Sequence, residues 1–240
     1  MRILAIDCAT ESIGMAFMNE GEVCAEVYLR RERHHTEILL SSLERLLSLA
    51  DAALNDVDLL ACTIGPGSFT GLRIGVSTVK GLALAMGKPV VGVSTLEALA
   101  MNALPYGKII CPMLDARRNE VFTALFRSGP EGLPEAMMPE VLIDIDQFLT
   151  ELKKGEIVFL GSGAMRHEER IVGILPNRAL VGGKGGKRIL ASAVGLIGLH
   201  RYRQGHILDT QTFVPNYLRL SDAESHRAIR SLRYLVTPEG

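Results

Sequence analysis

Short apolar runs at 2–7, 13–18 and 22–29 open the chain, separated by Cys8-Ala9-Thr10-Glu11-Ser12 and Asn19-Glu20-Gly21. Runs of that length bounded by turn residues predict successive strands joined by hairpins. From 35 to 50 the period changes: Leu39, Leu43, Leu46, Leu47 and Ala50 recur at three- and four-residue steps around the polar Glu44 and Arg45. That spacing predicts an amphipathic helix. A fourth strand at 59–64 runs into Gly65-Pro66-Gly67-Ser68-Phe69-Thr70-Gly71-Leu72-Arg73-Ile74-Gly75, and a second helix follows over about 72–86, ended by Gly87-Lys88-Pro89. Val90-Val91-Gly92-Val93 reads as a short strand, and Ser94-Thr95-Leu96-Glu97 as a capping box opening a helix to about 103.

Strands then resume at 109–114 and 120–126, around the polar turn Asp115-Ala116-Arg117-Arg118-Asn119. The Gly- and Pro-rich stretch 129–139 predicts a loop, Asp144 with Gln147 caps a short helix to about 153, and 157–160 is another strand. A glycine- and lysine-rich segment, Gly182-Gly183-Lys184-Gly185-Gly186, leads into a helix over about 188–203. The pattern predicts an α/β protein with mixed sheets flanked by helices, in two lobes at 1–106 and 107–240 with the boundary near Gly107. Both lobes open with strand pairs, which suggests a duplicated design.

Composition narrows the function classes. With 5% aromatic residues and no Trp, stacking platforms for single-stranded nucleic acid are poorly supplied. A formal net charge of −1 supplies no global attraction to a polyanion. Arg201, Arg203, Arg219, Arg227, Arg230 and Arg233 make the C-terminal stretch basic; this reads either as local attraction to RNA or an acidic surface, or as a solvated helix face. Cys8, Cys24, Cys62 and Cys111 lie in apolar runs without metal-ligand spacing, the pattern of reduced core thiols in a cytoplasmic protein. The N-terminal run carries Asp7 where a signal core would be apolar, and no apolar run is long enough to span a bilayer.

The glycine segment is the strongest candidate for chemistry. A strand that breaks into a glycine turn and then a helix presents free N–H groups that can hold a phosphate, yet the same glycines also serve a tight turn. Gly65, Gly67 and Gly71 are spaced one residue too far for the dinucleotide fingerprint, and the loop lacks the Gly-Lys-Ser/Thr ending of a P-loop. Asp7 and Thr10, at the end of the first strand, read either as a phosphate and metal turn of an ATP-binding sheet or as a local hairpin cap. Gly182 to Lys187 departs from a P-loop at Val181 and Arg188 and reads as a mobile loop. No metal site is expected. His167-Glu168-Glu169 begins like a zinc-protease helix but has Ile171 where the second histidine belongs, and the adjacent His34 and His35 point about 100° apart on a helix. Ser12, Ser68 and Ser94 lack a nucleophile-elbow context.

The helix at 72–86 carries Ile74, Val76, Val79, Leu82, Leu84 and Met86 around most of its circumference, so both of its sides need cover. Ile38 and Leu40 add surplus apolar residues to the helix at 35–50, and the two helices together predict a docking surface.

Four segments in order carry a resemblance: Ile6-Asp7-Cys8-Ala9-Thr10, Gly65 to Gly75, Met113-Leu114-Asp115-Ala116-Arg117-Arg118-Asn119-Glu120-Val121, and Pro215-Asn216-Tyr217-Leu218-Arg219. Together they resemble the bacterial TsaB (YeaZ) family, which works in threonylcarbamoyladenosine modification of tRNA. The resemblance covers nearly the whole chain, the tail after Leu220 excepted. It implies an actin/Hsp70-like (ASKHA) two-lobe fold shared with the catalytic paralogue TsaD. The two metal-binding histidines of that paralogue would fall here at Thr95 and Leu99, neither of which supplies an imidazole. The resemblance therefore implies a non-catalytic scaffold without metal or intrinsic cofactor, with ATP or ADP expected only within the complex. Partners would be TsaD, the ATPase TsaE and, through the complex, tRNA, with a homodimer formed when the chain is alone. Pairing would run through the first two helices at Ile38, Leu39, Leu43, Leu46, Ile74, Val76 and Val79, while Asp7, Thr10, Gly65 and Gly67 would be a vestigial phosphate site. An ATP-dependent or peptidase-like enzyme and a self-sufficient RNA-binding protein are the alternatives.

Overall fold

Asn19-Glu20-Gly21 closes the first hairpin of an antiparallel meander of β1 (Arg2–Asp7), β2 (Ser12–Asn19) and β3 (Glu22–Arg30), with Ile3 opposite Met18 and Ala5 opposite Ala16. The structure is a computed structural model, and it describes residues 1–30, 35–106, 108–152, 155–216 and 218. After α1 (His35–Leu49), β4 (Leu59–Gly65) pairs parallel to β1; after α2 (Phe69–Met86), β5 (Val90–Ser94) pairs parallel to β4. The sheet order is β3-β2-β1-β4-β5, and α3 (Thr95–Ala100) follows. Ser94 is the cap the sequence predicts for α3, its Oγ accepting the Leu96 and Glu97 N–H groups at 3.1 and 3.3 Å.

The second half repeats this design. β6 (Ile109–Arg117), β7 (Glu120–Ser128) and β8 (Pro134–Asp144) form a meander, followed by α4 (Ile145–Glu151), β9 (Ile157–Leu160), α5 (Gly161–Arg166), α6 (Glu168–Ile174) and β10 (Ala179–Val181). The order β10-β9-β6-β7-β8 has the topology of the first sheet, a central opening strand with the meander on one side and two parallel strands on the other. The final helix, α7, spans Ala191–Arg203.

The chain divides into one unit of Met1–Ala98 with Ile189–Asn216 and a second containing Leu99–Arg188. This corrects the expected split at 106/107 in two respects: the division falls earlier, and α7 belongs with the N-terminal sheet. The reason is packing. Small residues let α7 lie close on that sheet, so that a Cβ on Gly198 would stand 2.7 Å from Ala61 and one on Gly195 3.4 Å from Ala5. Gly107 itself lies outside the described residues.

On the other face of the first sheet, Leu4, Ile6, Met15, Phe17, Leu60 and Cys62 form one core with Leu39, Leu43 and Leu46 of α1 and Val76, Val79 and Ala83 of α2. In the second unit Met113, Val121, Phe148 and Phe159 anchor a separate core. The expected loop at 129–139 is largely strand. Pro134 begins β8, and Pro139 falls where the β7–β8 register shifts on an edge strand, which tolerates the missing N–H. The helices α5 and α6 have 6 and 7 residues, too few to show a helical period in the sequence. Cys24 is exposed rather than in the core, while Cys8, Cys62 and Cys111 are buried and free. Burial pushes the Cys62 and Cys111 thiols up to about 12, which leaves them unreactive as nucleophiles.

Candidate functional site

Backbone packing, rather than an open cradle, explains the glycine segment between β4 and α2. The Ser68 N–H donates to Ala9 O at 2.7 Å, so the segment lies directly on the β1–β2 turn. A Cβ on Gly67 would stand 2.2 Å from Ala9 O, and one on Gly71 2.1 Å from Cys8 O. Gly65 has φ +124°, and its Cβ would stand 2.6 Å from Asn216 O. The Ser68 hydroxyl then accepts the Gly71 N–H at 3.2 Å as the N-cap of α2. Two of the N–H groups at the start of α2, those of Ser68 and Gly71, are therefore already engaged within the chain.

The structure thus brings the Asp7–Thr10 turn and the Gly65–Gly67 loop together, but against each other. Asp7 is fully buried. Its Oδ1 accepts the Ala9 N–H at 3.0 Å and the Thr63 hydroxyl at 2.8 Å, whereas Oδ2 has no partner among the described residues. Burial pushes its carboxyl up to about 6, against the lowering effect of those two hydrogen bonds. Thr10 is half-buried, with its hydroxyl 2.9 Å from that of Ser12. Among the described residues no three His, Cys, Asp or Glu side chains converge as a metal-ligand set. His34 lies outside the described residues.

The docking helices need correction at the level of residues. Leu39, Leu43, Leu46, Val76 and Val79 are 0–4% exposed and form the core under α1 and α2, because each helix turns its regular three-and-four stripe to the sheet. They offer no surface to a partner. Ile38 and Ile74 are half-buried. The outward face of α2 instead carries Arg73, Ser77, Gly81 and Leu84, with Leu84 59% exposed and open space beside Gly81. Leu40, 55% exposed, is its apolar counterpart on α1. The signal was in the sequence, in Leu40 and Leu84 lying off the main stripe, but only the sheet decides which stripe is the inner one.

A second feature lies in the other unit, at the β6–β7 turn. Asp115 Oδ1 accepts the Arg117 N–H at 3.0 Å, and Arg166 Nη1 donates to Asp115 Oδ2 at 2.6 Å. Asn119 Nδ2 donates to Asp144 Oδ2 at 2.8 Å, while Arg170 Nη1 donates to Asn119 Oδ1 at 2.5 Å. The turn is therefore tied to α4, α5 and α6.

Relatives place this geometry in a family. A protein 32% identical over 94% of this chain and 97% of its own length is the "tRNA threonylcarbamoyladenosine biosynthesis protein TsaB" of Bacillus subtilis. The chain belongs to the TsaB family. The TsaB of Escherichia coli is 38% identical over 68% of the chain and 72% of its own length. A family model described as "TsaD: tRNA N6-adenosine threonylcarbamoyltransferase" matches residues 22–226. Among solved structures, YeaZ from Pseudomonas aeruginosa superposes with a TM-score of 0.79 at 27% identity, over 90% of this chain and 99% of its own. The component A of (R)-2-hydroxyglutaryl-CoA dehydratase from Acidaminococcus fermentans matches at TM-score 0.51 and 10% identity, over 85% of this chain and 99% of its own. The fold is actin/Hsp70-like, with two mixed sheets flanked by helices. In this TsaB-family chain Thr95 and Leu99 are both fully buried on α3, and Leu99 Cδ2 would stand 2.8 Å from a Cβ on Gly161. No helix among the described residues is long and apolar enough to cross a membrane.

Proposed function

We propose that this chain is a non-catalytic scaffold and activator subunit of a cytoplasmic tRNA-modifying complex. With TsaD and TsaE it would serve the transfer of a threonylcarbamoyl group to the adenosine next to the anticodon of tRNAs that read codons beginning with A. Membership of the TsaB family, whose curated relatives carry that pathway in their names, supports the role. The observation that carries the scaffold reading is the outward face of α2. Leu84 and the open Gly81, with Leu40 of α1, leave a surface on which a second helix pair can seat closely. The partner on this face is TsaD, with a second copy of the chain taking its place when TsaD is absent. The buried Thr95 and Leu99 support the absence of a metal centre in this subunit, and the close packing of the glycine segment on the Cys8 and Ala9 carbonyls supports nucleotide binding only within the complex.

The test is a Leu84→Glu, Leu40→Glu double variant. Both side chains are exposed, so the melting temperature stays within a few degrees of the parent while co-purification with TsaD is lost. Undiminished co-purification of the folded variant overturns the scaffold reading, as does ATP turnover by the isolated chain.

A further inference from the structure

Arg117, Arg118 and Asn119 have φ of +69°, +48° and +68°, an uninterrupted left-handed run without glycine. Arg117 pairs with Glu120 across the β6–β7 hairpin, so Arg118 and Asn119 form its tip. A two-residue hairpin loop with both tip residues left-handed favours Asn-Gly or Asp-Gly, and arginine at the first position costs about 1 kcal/mol or more. Backbone economy therefore does not explain Arg118.

Among the described residues the surroundings leave both arginines free. Arg166 engages Asp115, Asn119 engages Asp144, and Arg170 engages Asp146 at 3.2 Å. The Ile145 N–H donates to Asn119 O at 3.0 Å, and the Asp115 N–H to Ser162 Oγ at 3.1 Å. Arg117 and Arg118 are exposed, and neither guanidinium has a hydrogen bond or ion pair among the described residues, not even with Glu120. The result is a strained, braced tip that holds two adjacent guanidiniums toward solvent.

We propose that Arg117 and Arg118 are a contact site for RNA phosphates, through which this subunit grips the backbone of tRNA. The choice of tRNA rests on the function proposed above; the site itself rests on the turn. A guanidinium offers a planar fork of donors that matches a phosphate, and a braced tip loses little entropy on binding. The segment Asp115–Glu120 contains no aromatic residue, so the contact is to the backbone rather than to stacked bases.

The deciding experiment titrates labelled tRNA with the full chain, alone and in its complex with TsaD, over a range of salt. Each lost phosphate contact lowers the slope of log affinity against log salt by about 0.9, so Arg117→Ala, Arg118→Ala lowers it by about 2 and weakens binding about tenfold at low salt. Arg117→Lys, Arg118→Lys keeps most of the slope, because the point charges remain. Arg118→Asn separates contact from fold. Asparagine suits the left-handed position better, so the melting temperature holds or rises while the slope falls by about one. Unchanged affinity and slope in these variants overturn the proposal, as does a wild-type chain that binds no tRNA in either form. A variant that loses TsaD but keeps tRNA assigns the tip to an acidic protein surface and likewise overturns it. Failure of the TsaD complex to form, with the tRNA result intact, counts against the scaffold reading alone.

Discussion

The Thr63 hydroxyl donates to Oδ1 of Asp7 at 2.8 Å, tying the ends of the parallel neighbours β4 and β1 inside the first unit. The other carboxylate oxygen, Oδ2, is buried without a partner among the described residues.

That arrangement sets a pH dependence. Burial raises the folded-state value of Asp7 from 3.8 to about 6, so between these values the folded chain binds more protons than the unfolded one. Stability is therefore full below about pH 4 and falls as pH rises through about 6, by about 3 kcal/mol for a shift of about two units. Asp7→Asn retains the acceptor for Thr63 and removes the charge. Urea unfolding across pH 4–8 should show the fall in the parent and not in the variant, which is the more stable of the two at neutral pH.

The glycine segment predicts opposite outcomes for one type of substitution. Gly71→Ala drives a methyl into Cys8 O, 2.1 Å away, and should cost about 3 kcal/mol or prevent folding. Gly81→Ala, in open space on the exposed side of α2, should stabilise by about 0.5–1 kcal/mol through helix propensity. Thermal melting of the two variants compares them directly.

At Thr95 the buried Oγ1 has no hydrogen-bond partner among the described residues, so its desolvation is not offset. Thr95→Val keeps the shape and removes the hydroxyl. Chemical denaturation should find it neutral or more stable by about 1 kcal/mol, with zinc or iron shifting the melting temperature of neither form.

Asn119 is the brace of the β6–β7 tip, and it sits at φ +68°. Asn119→Ala removes the side-chain bonds to Asp144, Asp146 and Arg170 and adds left-handed strain, a loss of about 2 kcal/mol. Asn119→Gly relieves the strain alone and should recover about half of that loss in the same unfolding assay.

Much of the architecture was legible along the chain. The switch from short apolar runs to the Leu39–Leu43–Leu46 period located α1 after the meander, and Ser94 and Asp144 marked helix starts through caps that the structure reproduces. These signals are local, because strand alternation, helical period and capping depend on residues within one turn of each other. β8 was hidden, because Pro134 and Pro139 read as breakers until pairing with β7 places them on an edge.

The site was legible only in part. The glycines of 65–71 stood out, yet a phosphate cradle and a close backbone approach need the same residue. Only the carbonyls of Cys8 and Ala9, brought there by β1 lying beside β4, decide between them. Likewise, the apolar pattern alone establishes that α1 and α2 carry more apolar residues than one face needs. Which of them form the core and which meet solvent was decided by the rotation of each helix against the sheet, and it placed Leu43 and Val76 inward and Leu40 and Leu84 outward. Asp115, Arg117 and Asn119 were visible as a motif. That Arg117 and Arg118 are left without partners among the described residues emerges only in three dimensions, because the arginines that engage Asp115 and Asp146 come from α5 and α6, about fifty residues further along the chain than the turn.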